Sequence, residues 1–195
     1  MRRSVFLTLF GVTAITWSLT ARAQQAERVR LIGILNILGP DDPEGKARIT
    51  VFEQTLQELG WMVGRDLKIE SREVGSDLDQ LRRYGEELVA LAPDAIFSMG
   101  SLPAAALQQA TRTIPIVFMN VSDPVGAGLV QNMAHPGGNI TGFSNFEYSM
   151  SGKWAELLKQ IAPTTTRALV LRETSSAAGI GQFAAVRAVA QGLGI

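Results

Sequence analysis

The chain has 195 residues, 46% of them hydrophobic and 18% charged, and its formal net charge is zero. It contains no cysteine and a single histidine, His135. That composition excludes a disulfide framework, thiolate or His-rich metal sites and any mechanism that needs two histidines, and no basic stripe or charge block points to nucleic acid.

Residues 1–23 read as an export leader. Arg2 and Arg3 give a positive start, Val5 to Leu19 is uncharged and mostly apolar, and Ala21-Arg22-Ala23 fits a small-x-small cleavage site. The apolar core is shorter than the ~20 residues of a membrane span. A retained anchor is the alternative. The Arg pair and Phe6-Leu7 depart by one residue from twin-arginine spacing, which leaves the export route open.

Past the leader, Arg30–Asn36 predicts the first strand, with Gly33 marking a close approach of a neighbouring element. Asp42-Pro43 opens a helix, because Asp is a good N-cap and Pro suits the first helical turn. Ile49, Phe52, Leu56 and Leu59 line one face of it, and Gly60 closes it. Asp66–Val74 alternates apolar with charged residues and predicts an edge strand. Asp77–Leu91 predicts a second helix with Leu81, Tyr84, Leu88 and Leu91 on one face, stopped by Pro93.

The stretch from Asp94 to Asn139 organises the rest. Ala95–Met99 and Ile116–Met119 are short continuous apolar runs, as expected of strands covered on both faces. Ser101 opens the helix Leu102–Thr111 between them. A short helix is expected over Gly126–Met133 and a fifth strand over Ile140–Phe143. This order predicts an α/β fold with one doubly wound parallel sheet over residues 24–143. Ligands of such sheets bind beyond the carboxyl ends of the strands, where Ser101, Asn120, Ser122 and Asp123 stand. A helix at Ser149–Ala162, a strand at Arg167–Leu171 and a helix at Gly181–Leu193 follow. They either extend the first domain or begin a second.

No catalytic motif is complete. Ser151-Gly152-Lys153-Trp154 lacks the upstream Gly and the Ser or Thr of a phosphate loop. Gly126-Ala-Gly128 lacks the third glycine of a dinucleotide site, since Gln131 stands there. Gly100-Ser101-Leu102-Pro103 is no nucleophile elbow. His135, before Pro136-Gly-Gly138, reads as a loop residue. Ser101 reads as a helix cap, a ligand contact, or both, because helix N-termini attract anions. Asp123 is a turn former or a partner for a ligand amine.

Thr111-Arg-Thr-Ile-Pro-Ile-Val-Phe118, Asp123-Pro-Val-Gly-Ala-Gly128 and His135-Pro-Gly-Gly-Asn-Ile-Thr-Gly142 together resemble the ABC-transporter substrate-binding proteins of the tryptophan/tyrosine-binding type. Asp42-Pro-Glu-Gly45, Leu56-Gln-Glu-Leu-Gly-Trp61, Leu88–Asp94, Gly152-Lys-Trp154 and Leu157–Pro163 are similar to the same family, so the likeness spans essentially the whole chain. The resemblance implies a periplasmic-binding-protein-like fold of type I. Two α/β lobes would close on a solute and deliver it to a membrane permease of an ABC transporter. It implies a first lobe over 24–143, a crossover and the start of a second lobe over 144–195, and a total length beyond 195 residues. By position it puts Asn36, Ser101, Asn120 and Asp123 on the cleft, with Asn145 at the crossover. Many members carry Asn-Pro where this chain has Arg172-Glu173-Thr174.

The expected function is that of an exported, non-enzymatic receptor for a small solute such as an amino acid, with no metal, no cofactor and no nucleic-acid partner. Two other classes compete. A flavodoxin-like or dehydrogenase-type enzyme needs a cofactor motif that is incomplete here. The sensor domain of a transcription repressor needs a DNA-binding segment where the leader stands.

Overall fold

The structure, a computed structural model, describes residues 28–75 and 77–195. The leader expected over residues 1–23 lies outside the described residues. Among the described residues there are five strands: β1 (Arg30–Asn36), β2 (Leu67–Glu73), β3 (Ala95–Met99), β4 (Ile116–Val121) and β5 (Ile140–Ser144). The helices are α1 (Pro43–Glu58), α2 (Leu78–Ala90), α3 (Ser101–Ala110), α4 (Met150–Ile161) and α5 (Ala177–Ala190). The strands form one parallel sheet in the order β2-β1-β3-β4-β5. The doubly wound α/β expectation holds, and β2 is an edge strand as its alternation requires.

The alternation of side chains along each strand decides which helix covers which face. Gly33, Leu35, Ile96, Ile116, Phe118 and Ile140 point to the face covered by α2 and α3. They form the core there with Leu81, Leu88, Ala104 and Leu107. A Cβ at Gly33 would already touch Ile96 and Leu88 at 3.4 Å, which is the close approach that its place in the strand suggested. On the other face lies α1, whose Phe52 stacks on Phe97 of β3 with ring centroids 4.5 Å apart. Phe143, on β5, is 75% exposed.

The helix starts follow local chemistry. Asp42 accepts bonds from the N–H groups of Glu44 and Gly45, at 2.8 and 3.0 Å. Asp77 does the same for Asp79 and Gln80 at 3.0 Å each. Each carboxylate supplies an acceptor to first-turn N–H groups that have no partner within the helix. Gly60 follows α1 at φ +95°, the left-handed stop expected there.

Asp94 fastens the start of β3 to β1. Its carboxylate accepts the Leu31 N–H at 2.9 Å and pairs with Arg30 at 2.7 Å and Arg28 at 3.3 Å. The Leu31 bond first, then the Arg30 guanidinium, hold this carboxyl below its ordinary range. The folded state therefore favours the anion more than the unfolded chain does. That stabilisation is complete above the unfolded pKa and is lost as pH falls through the lower, folded pKa. Asp94→Asn is expected to melt below the parent protein at neutral pH, with the gap closing in acid. A gap in melting temperature that stays constant with pH would count against it.

Two expected elements are not formed. Residues 126–133 make turns and no helix. Gly128 takes φ +72° and the Gln131 N–H turns back to the Pro136 carbonyl at 3.0 Å, so the helical ladder is broken where it would begin. Residues 167–171 form no strand. Leu169 and Leu171 are 88% and 89% exposed, and the segment has no neighbouring strand to pair with among the described residues. The helices on either side of it, α4 and α5, pack on each other, with Gly152 against Ala185 and Val189.

Candidate functional site

The strand order sets where a crevice opens. The chain leaves β1 toward α1 on one face and leaves β3 toward α3 on the other. Neighbouring strands that part their loops in this way form the switch point where open α/β sheets bind ligands. A cavity of about 710 Å³ lies there, within the size range of small-molecule sites. Ile37, Leu38 and Gly39 come from the loop after β1, Gly75 and Leu78 from the passage into α2, and Leu102 from the first turn of α3. Glu173 and Ser175 reach it from the segment before α5.

The start of α3 differs from the starts of α1 and α2. Its N-cap position is Gly100, at φ +110°, and no side chain caps it. This corrects the reading of Ser101 as a cap: Ser101 is the first helical residue, and its hydroxyl makes no capping bond. A glycine is what the position requires, because the chain leaves β3 with a positive φ. The first N–H groups of α3 thus open on the carboxyl edge of the sheet, where they and the helix dipole favour an anion.

The expected site residues fall into two groups. Asn36 and Ser101 flank the cavity in sequence, next to Ile37 and Leu102. Asn36 is fully buried. Its Oδ1 accepts the Leu38 N–H at 3.1 Å and shapes the loop that lines the cavity, while its Nδ2 has no partner. Asn120, Asp123 and Asn145 form a separate knot at the ends of β4 and β5. The Asn145 amide donates to Oδ1 of Asn120, and the Asn145 N–H to the Val121 carbonyl at 3.2 Å. Asp123 accepts the Gly126 N–H at 2.7 Å and the Tyr148 N–H at 3.4 Å, and its own N–H donates to Phe146 at 2.9 Å. Asn120 and Asp123 take φ +59° and +44°, a conformation that Asn and Asp tolerate better than most residues. The carboxylate of Asp123 is thus occupied by backbone, as a turn former's would be.

Tyr148 seals this knot. Its ring lies against Gly126 and Gly181, and its hydroxyl is buried without a partner. Burial, then the nearby Asp123 carboxylate, push the phenol's pKa up. A second cavity, about 640 Å³, separates α4 and α5 from residues 168–173. Trp154, Leu158, Phe183 and Val186 wall it, so it is a gap between uncovered apolar faces more than a polar site. Glu173 and Ser175 were not singled out by the sequence as cleft residues, since only the folding of a distant segment brings them to the cavity. Among the described residues no group of His, Cys, Asp and Glu is placed to hold a metal, and no helix is long and apolar enough to cross a membrane.

Known proteins are similar to this chain. A tyrosine-binding protein of Clostridioides difficile (strain R20291) is 32% identical over 124 residues, which is 64% of this chain and 35% of that protein. The crystal structure of an ABC domain in complex with L-Trp from Streptococcus pneumoniae aligns with TM-score 0.74 and 25% identity. That of a conserved domain protein from Vibrio cholerae aligns with TM-score 0.76 and 27% identity. Each alignment covers 86% of this chain and 55% of the other, so the chain spans about half the length of these solved relatives and about a third of the curated one. The family model described as ABC transporter substrate binding protein matches residues 33–195. That family's role is to bind a substrate without transforming it. With four-fifths of its length matched and its switch-point crevice in place, the chain belongs to the ABC transporter substrate binding proteins.

Proposed function

We propose that the protein is the exported solute receptor of an ABC-type uptake system and that it takes an amino acid with a large apolar side chain. The observation that carries the reading is the uncapped start of α3, beside a cavity walled by aliphatic side chains at the sheet's switch point. Free N–H groups at a helix N-terminus suit a carboxylate, and Ile37, Leu38, Leu78 and Leu102 suit an apolar body. The names of two relatives, one tyrosine-binding and one solved with L-Trp, support the same class of solute.

In this reading residues 24–143 are the first lobe, and residues 144–195 are the crossover and the start of the second. Asn120, Asp123 and Asn145 brace the crossover, while Asn36 and Ser101 belong to the cleft. Ala21-Arg22-Ala23 is the cleavage site of the leader, and delivery is to a membrane permease. Isothermal titration with L-tryptophan and L-tyrosine tests the solute class. Saturable binding of either, with L-glutamate and L-lysine inert, is the expected result. A chain that binds none of the four would overturn the reading. Export is tested separately: the secreted protein should have the mass of a chain beginning at Gln24, and an intact Met1 would argue against the leader.

A further inference from the structure

The cavity at the switch point has one ionisable side chain among its described lining residues, and it is an acid. Glu173 is exposed and lines this cavity with Ile37, Leu38, Leu78 and Leu102, and it also borders the cavity beside α4 and α5. No lysine or arginine is among those described lining residues. The neighbouring Arg172 is turned away, with its guanidinium 4.9 Å from the centroid of the Phe183 ring.

Glu173 is also held in place. Its Oε1 accepts the Ser175 N–H at 2.9 Å and the Ser175 hydroxyl at 2.7 Å. Those two bonds, the hydroxyl's foremost, keep the carboxyl below its ordinary range, so at neutral pH the group is an anion. The backbone of the residue is fixed as well. Its carbonyl oxygen presses against Gly179, where any Cβ would overlap it, and Gly179 is buried in the first turn of α5. With Oε1 bound to Ser175, Oε2 is the oxygen left to meet a ligand.

We propose that Glu173 is the specificity-determining residue of this cavity: it takes the cationic nitrogen of a solute whose apolar body rests on Ile37, Leu38, Leu78 and Leu102. The assignment rests on the solute-receptor reading and adds a chemical class to it. A solute with an apolar body, an ammonium for Glu173 and a carboxylate for the start of α3 satisfies all three parts of the site. A plain carboxylic acid of the same shape leaves Glu173 facing an uncharged end, and its own charge finds no cation in the cavity. A carboxylate and the N–H groups of a helix start at one cavity discriminate by adding one contact and withholding another.

The test compares L-tryptophan with indole-3-propionate, which lacks only the amino group, by calorimetry on the parent chain and on Glu173→Gln. The amide oxygen of glutamine can still accept both Ser175 bonds, so the loop and the melting temperature should be unchanged. The parent is expected to prefer L-tryptophan by about tenfold or more, as a charged hydrogen bond predicts. Glu173→Gln should bring the two ligands within about threefold of each other, through weaker binding of L-tryptophan. Glu173→Lys should reverse the order. A parent chain that binds both ligands equally would overturn the proposal and leave the receptor reading standing, as would a Glu173→Gln variant that keeps the parent's preference. A parent that binds neither ligand and no L-tyrosine would overturn the receptor reading and the proposal with it.

Discussion

Gly142→Ala is expected to lower stability by about 3 kcal/mol, a loss that combines overpacking with backbone strain. Gly142 sits in β5 opposite Phe118 of β4, at φ +158°. A Cβ built there would fall on the Phe118 carbonyl oxygen and within 2.7 Å of its ring. Neither can give way cheaply. The ring is 1% exposed and packed in the core under α2 and α3, and the carbonyl is part of β4. The alternative is to part β5 from β4 where the ladder already shifts register, between Phe118 and Val121. Because β5 leads directly into the Asn120–Asn145 knot, that movement would disturb the crossover as well. For a chain of this length the loss corresponds to ~6–12 °C in melting temperature. Gly138→Ala is the control, since nothing lies within 4 Å of a Cβ there, and it should stay within about 0.5 kcal/mol. Equal melting temperatures for the two variants would show that β5 repacks freely.

The contrast between these glycines shows what was legible in the sequence. A strand buried on both faces must be apolar along its length, so Ala95–Met99 and Ile116–Met119 announce themselves. An edge strand need be apolar on one side only, which is why Leu67 and Ile69 alternate with Lys68 and Glu70. Asp42-Pro43 marks a helix start because the cap is a contact between near neighbours. Each of these is decided within a few residues. Residues 167–171 were apolar enough to be read as a strand, but a strand is a pairing, and no partner strand is present among the described residues. Residues 126–133 were expected to form a short helix, yet Gly128 takes a left-handed turn inside them. At the start of α3 the sequence suggested Ser101 as the cap, and only the positive φ at the exit from β3 puts Gly100 there instead.

The site was legible to a similar depth. Position at the carboxyl ends of the strands follows from the fold class, and Ser101, Asn120 and Asp123 were found by that rule, while Asn36 came from the family resemblance. Their separation into a cavity and a knot was not, because it depends on which loops part at the switch point and on hydrogen bonds to Gly126 and Tyr148. Glu173 lies 72 residues beyond Ser101 in a segment without regular structure. No local pattern ties it to Ile37 or Leu102.

Ser101→Asp is expected to weaken binding of L-tryptophan by about 10- to 100-fold, while the protein becomes slightly more stable. The two effects share one cause. An aspartate in the first turn of α3 places its own negative charge at the positive end of the helix, where no side chain caps it now. An acid so placed stabilises a helix by about 0.3–1 kcal/mol. The same charge occupies the place proposed for the ligand's carboxylate and repels it. Losing a charged hydrogen bond costs about 1.5–3 kcal/mol, or one to two decades in affinity. Ser101→Ala separates the hydroxyl from the helix end: it removes the side-chain oxygen and leaves the N–H groups and the dipole intact. Its affinity should therefore fall less than that of the aspartate variant. Calorimetry and thermal melts on the parent and both variants read the two quantities together. A Ser101→Asp chain that binds L-tryptophan within a factor of two of the parent would place the carboxylate away from α3. A chain that loses binding and stability together would trace the loss to a damaged helix start and not to an occupied anion site.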